Sequence, residues 1–138
     1  YNNWKAAIAE VVPRTATFKV TLHTSSYTFS AAHDVYADLT NELSTANGYT
    51  NGGATLGSVT WTESSGTATF DSADAAWTAS GGSIVSRRAV IRAIGTFNSQ
   101  VDPLVCSILM DTTPADITLT TGNTLTLQWN ASGIFTLA

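Results

Sequence analysis

Charge is scarce in this chain. Charged residues make up 12% of it, about half the usual share of a soluble domain. Ser and Thr fill the gap. Dispersed charge keeps a free protein in solution, so a surface this poor in it suits a chain whose faces are covered in an assembly. Bases are the scarcer sign. Only Lys5, Lys19, Arg14, Arg87, Arg88 and Arg92 carry positive charge, against ten acids, for a formal net charge of −4. No extended basic face is available to a nucleic-acid backbone, and no nucleic-acid partner is expected.

Cysteine is nearly absent. Cys106 stands alone, which excludes an intrachain disulfide and any zinc site built from several thiolates. It lies in the apolar run Leu104–Met110 and reads as a small buried hydrophobe. No apolar run approaches the roughly 18 residues of a membrane span, so no membrane partner is expected. The opening residues, from Tyr1, show no basic stretch followed by an apolar one, so no signal peptide is expected in them. The motif inventory is empty as well: there is no G-x-S-x-G elbow, no H-E-x-x-H pair and no phosphate-binding glycine loop. No cofactor and no catalytic residue is assigned on this basis.

What the chain does have is alternation. In the closing stretch Ile117–Leu137, Leu125, Leu127 and Trp129 alternate with Thr124, Thr126, Gln128 and Asn130. A period of two places the apolar side chains on one face of a strand and the polar ones on the other. That polar face is uncharged and suits lateral packing against other protein. Thr15–Thr24 repeats the pattern, with Phe18, Val20 and Leu22 on one face and Lys19, Thr21 and His23 on an exposed one. Ala54–Glu63 and Thr67–Asp71 read as a hairpin closed at Ser64-Ser65-Gly66, with a bulge at Gly57. Ile84–Ile94 reads as one strand. Leu104–Met110, apolar on both faces, is expected at the centre of the sheet. Asp111–Pro114 is a turn. Ile117–Thr121 and Thr124–Trp129 are expected to pair across Thr121-Gly122-Asn123, and Ile134–Leu137 is the last strand.

Two segments depart from this rhythm. Asn2–Val12 carries Trp4, Ala7, Ile8 and Val11 at helical spacing before Pro13, so residues 1–12 are expected to form a short helix or docking arm. Ser25–Gly53 is a long connection, ordered by Tyr27, Phe29, Tyr36 and Tyr49, with a short helical turn near Tyr36–Leu43 and turn signals at Asn47-Gly48 and Asn51-Gly52-Gly53. The whole, residues 1–138, reads as one all-β domain: an antiparallel β-sandwich, jelly-roll-like, of about eight strands with a short N-terminal helix.

Several constellations carry residue types suited to chemistry. His33, Asp34 and Asp38 offer ligand types for a divalent metal, but loop residues of these types more often make local turns, and no metal site is assigned. Asp71 and Asp74 could act as an acid–base pair of a small hydrolase, although Asp after a strand commonly caps backbone N–H groups. Arg88 and Arg92 share a strand face, with Arg87 on the other, and that pair could meet carboxylates of a neighbouring subunit. Of the tryptophans, Trp77 is expected to be the exposed one and the candidate glycan contact. The candidate interface residues are Trp4, Tyr27, Phe29, Tyr36, Tyr49, Arg88 and Arg92.

The strings YNNWKAAI, FKVTLHTSSYTFSAAHDVYADL, NGYTNGGATL, DSADAAWTAS, RRAVI, PLV and TLTLQWNASGIFTL resemble a group of small tailed-bacteriophage proteins encoded among virion structural genes. TSSYTFSAAHD, NGYTNGGATL and LQWNASGIFTL are its most specific parts, and Cys106 and Arg88 depart from it. The resemblance supplies no catalytic residue. It implies a non-enzymatic virion component, assembled in the host cytoplasm, that binds other virion proteins and forms a homo-oligomer. A capsid decoration or cement protein on the major capsid protein is the first expectation. A neck, tail or fibre-base protein, or a carbohydrate-binding module for host attachment, is the alternative.

Overall fold

The computed structural model describes residues 15–111 and 116–137. The expected N-terminal helix with Trp4, and most of the turn at Asp111–Pro114, lie outside the described residues. In chain order the elements are β1 (Thr17–His23), a 3-10 turn η1 (Tyr36–Asp38), β2 (Ala54–Thr55), β3 (Thr60–Ser64) and β4 (Thr67–Asp71). They continue as β5 (Ala75–Thr78), β6 (Ile84–Ser86), β7 (Arg88–Ile94), β8 (Thr96–Phe97) and β9 (Gln100–Val101). The last are β10 (Leu104–Leu109), β11 (Ile117–Leu119), β12 (Thr124–Leu127) and β13 (Phe135–Leu137). The described fold is all-β, and every strand pairing is antiparallel.

The described residues form thirteen short strands, because continuous runs change partners midway. Ile84–Ile94 breaks at Arg87: β6 pairs with β11, whereas β7 lies between β1 and β10. Ala54–Glu63 breaks at Gly57-Ser58, where Ser58 takes φ +50°: β2 pairs with β1, and β3 with β4. The expected hairpin of β11 with β12 does not form. The turn at Thr121–Gly122 is present, but β11 pairs with β6 and β12 with β5. Ala79 N donates to Asn123 O at 2.9 Å and Gly122 N to Ala79 O at 2.8 Å, which ties the connections of the two two-stranded sheets together.

The main sheet has the order β10-β7-β1-β2. Leu104–Leu109 is therefore an edge strand among the described residues, not a central one. Its two-sided apolarity has another cause. Cys106 and Ile108 pack on the main core, while Leu104 joins a second cluster with Tyr27 and Val90. The main core takes Phe18, Val20 and Leu22 from β1 and Ala89, Ile91 and Ala93 from β7. The smaller sheets close it with Phe70, Trp77, Ile84, Leu119 and Leu127. Aromatic rings fill its centre: Phe70 lies 5.0 Å from Phe18 and 4.8 Å from Trp61, centroid to centroid.

The other face of the main sheet is largely covered, with Leu109 exposed at its edge. Thr21 and His23 are fully buried, against the expectation for the polar face of β1. The connection Thr24–Gly53 folds back over them. Its return is anchored by Leu43 N donating to Leu22 O at 3.0 Å and by Gly53, which crosses β1 closely. At φ +77°, a Cβ on Gly53 would stand 2.2 Å from Val20 O, so only glycine fits. The expected helical turn is present as η1, but it ends at Asp38, short of the expected Leu43.

Candidate functional site

The folded-back connection and the sheet face beneath it bring together most of the aromatic and basic residues singled out from the sequence. At the centre is Glu42, which the sequence reading missed. Its Oε1 accepts from the Tyr49 hydroxyl at 2.7 Å and from Gly52 N at 2.6 Å, and its Oε2 accepts from the Tyr36 hydroxyl. The Tyr49 hydroxyl in turn accepts from Leu22 N at 3.1 Å. That N–H points into the gap between β2 and the bridge of His23 with Glu42, where β1 has no strand partner, so a side chain satisfies it. Burial raises the pKa of both phenols above the ordinary tyrosine value, and the Glu42 carboxylate adds to this. Both therefore stay protonated donors. Glu42 sits between Tyr36 and Tyr49 on the connection, and that flanking of an acid by two tyrosines was the available signal.

Arg92 lies deeper. It is 5% exposed, so it is a buried structural cation and not the surface contact that its charge suggested. The Tyr36 ring covers its guanidinium with the carbon 3.3 Å from the ring centroid. Its Nη2 donates to Gly52 O at 3.1 Å, and its Nε stands 4.0 Å from Asp102 Oδ2. Nε and Nη1 have no hydrogen-bond partner among the described residues.

His23 completes the buried layer. Its Nδ1 lies 2.9 Å from Thr40 O, an obligate acceptor, so Nδ1 carries the proton. The Thr21 hydroxyl lies 2.9 Å from Nε2 and 3.2 Å from Val90 O, so its one hydrogen is shared between these two acceptors when the ring is neutral. Desolvation lowers the His23 pKa below the ordinary histidine value, outweighing the carbonyl of Thr40 and the charge of Glu42.

The remaining candidates divide clearly. Tyr27 and Tyr49 are buried at 5% and 2% exposure, as anchors rather than contact residues. Tyr27 packs its ring 5.0 Å from His23 and places its hydroxyl 3.1 Å from His33 Nδ1. Trp77 is also buried. It faces the core from β5, whose alternating burial shows a strand where an exposed turn was expected, and the carbohydrate reading loses its contact residue. Asp38 Oδ2 accepts from Asp34 N at 2.8 Å and Val35 N at 3.0 Å, bonds that lower its pKa. Asp71 accepts from Ser72 N at 2.9 Å and Asp74 from Trp129 N at 3.0 Å. Both act as backbone caps 55 residues apart from, or next to, the groups they hold. Among the described residues no group of three His, Cys, Asp or Glu side chains is placed to hold a metal ion. Cys106 packs against the core, and burial pushes its thiol up to about 12.

Surface character remains. Phe29 and Leu109 are exposed apolar residues, and Arg88 lies near both: its guanidinium is 5.5 Å from the Phe29 ring centroid and Leu109 is its cross-strand partner. The smaller sheets carry hydroxyls instead of charge. Thr62, Thr69 and Thr136 stand side by side across β3, β4 and β13. Thr78 and Thr124 face each other with their hydroxyl oxygens 2.8 Å apart. Strands β3 to β6 and β11 to β13 contain only Glu63 and Asp71 as charged residues.

No protein-family model, curated protein or solved structure matches this chain.

Proposed function

We propose that this chain is a non-enzymatic structural component of a tailed-phage virion, a decoration or cement protein seated on the major capsid protein. Its architecture in this reading is a jelly-roll-like antiparallel β-sandwich. The observation that carries the proposal is the two rows of threonine hydroxyls, Thr62 with Thr69 and Thr136, and Thr78 with Thr124, on strand faces where Asp71 is the one charged residue among the described strands. A row of hydroxyls can be covered by protein without stranding a charge away from water, where a row of Lys and Glu would lose its hydration. Such a face can be satisfied by water in the free chain and by polar groups of a subunit in an assembly. The resemblance of the quoted segments to small virion proteins points the same way.

Cryo-electron microscopy of intact particles tests the reading. Ordered density for this chain on the head in hundreds of copies is the expected result. About 6 to 18 copies would place it in a ring at the neck or tail instead. Absence of the chain from head, neck and tail would refute a virion role.

A further inference from the structure

The sequence pairs Arg88 with Arg92, but the fold pairs Arg88 with Arg87. The strand run breaks at Arg87 because β6 and β7 belong to different sheets. At that corner Arg87 and Arg88 line the same hollow, of about 330 Å³, while Arg92 is buried under Tyr36. The opposite wall comes from the start of the long connection: the hydroxyl residues Thr24, Ser25 and Thr28, with Tyr27 at the base and Phe29 at the rim. The volume lies at the small end of the range for ligand sites.

The two guanidinium groups are held differently. Arg88 is positioned: its Nη1 donates to Ser107 Oγ at 2.9 Å and its plane lies near Phe29. Arg87 uses its backbone N–H, which donates to His23 O at 2.9 Å, and its side chain makes no hydrogen bond or ion pair among the described residues. The Ser25 hydroxyl is engaged with Asp116 Oδ2 at 2.9 Å, so the donors open to a ligand are Arg87, the remaining N–H groups of Arg88 and the Thr24 and Thr28 hydroxyls. A fixed cation beside an adjustable one, with a hydroxyl and aromatic rings around them, matches a carboxylate attached to an apolar neighbour. A long polyanion fits poorly. Two guanidinium groups supply few phosphate contacts, and the net charge of −4 opposes the approach of a nucleic acid.

We propose that this hollow binds an acidic peptide segment of a partner protein, through a Glu or Asp carboxylate on Arg87 and Arg88 and an adjoining apolar side chain on Phe29. The proposal is independent of where the protein resides. The test is an amide-shift NMR titration of the full chain with three probes at constant ionic strength: acetyl-Ala-Glu-Leu-amide, acetyl-Ala-Gln-Leu-amide and sodium sulfate. The Glu peptide should give saturable shifts confined to residues 24–29, 87 and 88, with the Gln peptide weaker by about tenfold. Arg87→Gln should weaken the Glu peptide by a similar factor while leaving the remaining spectrum unchanged, since its side chain supports no described contact. The proposal is overturned by absence of saturation at concentrations on the order of 10 mM, by equal affinity for the Gln peptide, or by an unaffected Arg87→Gln protein. Sulfate saturating the same amides at least as tightly as the Glu peptide would overturn it too, by marking a site for inorganic anions.

Discussion

Replacing Glu42 with Ala should loosen the whole layer that covers the main sheet. The carboxylate receives three hydrogen bonds, from the Tyr36 and Tyr49 hydroxyls and from Gly52 N. A hydrogen bond to a charged group contributes about 1.5–3 kcal/mol, so three set an upper bound of about 4.5–9 kcal/mol. Glu42 and Tyr36 are only half-buried, and water can replace part of what is lost there. Tyr49 cannot be rescued this way, because its ring is 2% exposed. The expected loss is therefore about 3 kcal/mol, with Glu42→Gln losing about half of that by keeping one acceptor oxygen. For a chain of this size the Ala variant should melt roughly 10 °C lower. Urea unfolding followed by tryptophan fluorescence gives the stability, and hydrogen exchange gives the location. Amides of residues 24–53, with Leu22 N among them, should lose protection before those of β7. A double-mutant cycle with Tyr49→Phe should show coupling above about 0.5 kcal/mol. A Glu42→Ala protein within about 0.5 kcal/mol of the parent, or with unchanged exchange over residues 24–53, would refute the assignment of Glu42 as the pin of this layer.

Three further outcomes follow from the same packing. His23 is buried with a lowered pKa, so the unfolded chain binds its proton more readily. Stability from this group is complete above about pH 6.5 and is lost as pH falls from there through the folded value, by at most about 1.4 kcal/mol per pH unit. Urea midpoints measured from pH 8 to 5.5 should show that slope, and His23→Asn should remove it. Gly53→Ala should cost more than about 3 kcal/mol, because the new Cβ meets Val20 O, whereas Gly66→Ala, at φ +81° but in open space, should cost about 1 kcal/mol in the same thermal assay. Trp77→Ala should destabilise by about 3–5 kcal/mol through the cavity it leaves in the core; a Trp77→Ala protein of parental stability would contradict its burial.

The strand pattern was legible because alternation is a local property. Phe18, Val20 and Leu22 had to share a face whatever the fold, and so did Leu125 and Leu127, since neighbouring side chains on a strand point oppositely. The uncharged face of Thr124 and Thr126 was equally fixed, and both are exposed as read. The all-β class and the turns at Asn47-Gly48 and Gly52-Gly53 came from the same local chemistry, with Asn47, Gly48, Gly52 and Gly53 all at positive φ. What alternation cannot state is whether the second face of a strand meets water. Thr21, His23 and Arg92 look like a solvated stripe in the sequence. They are buried because a connection distant from β7 in the chain folds over them, held by Glu42, Tyr36 and Tyr49. Nor can a period of two name a strand's partner. In Ile84–Ile94 the core-facing parity changes at Arg87, from Ile84 to Ala89, Ile91 and Ala93, as its two halves pair in different sheets, and that switch brings the Arg87 and Arg88 side chains to one hollow. Backbone geometry determines which residues share a face, while contacts between remote segments decide what covers that face and which charges end up together.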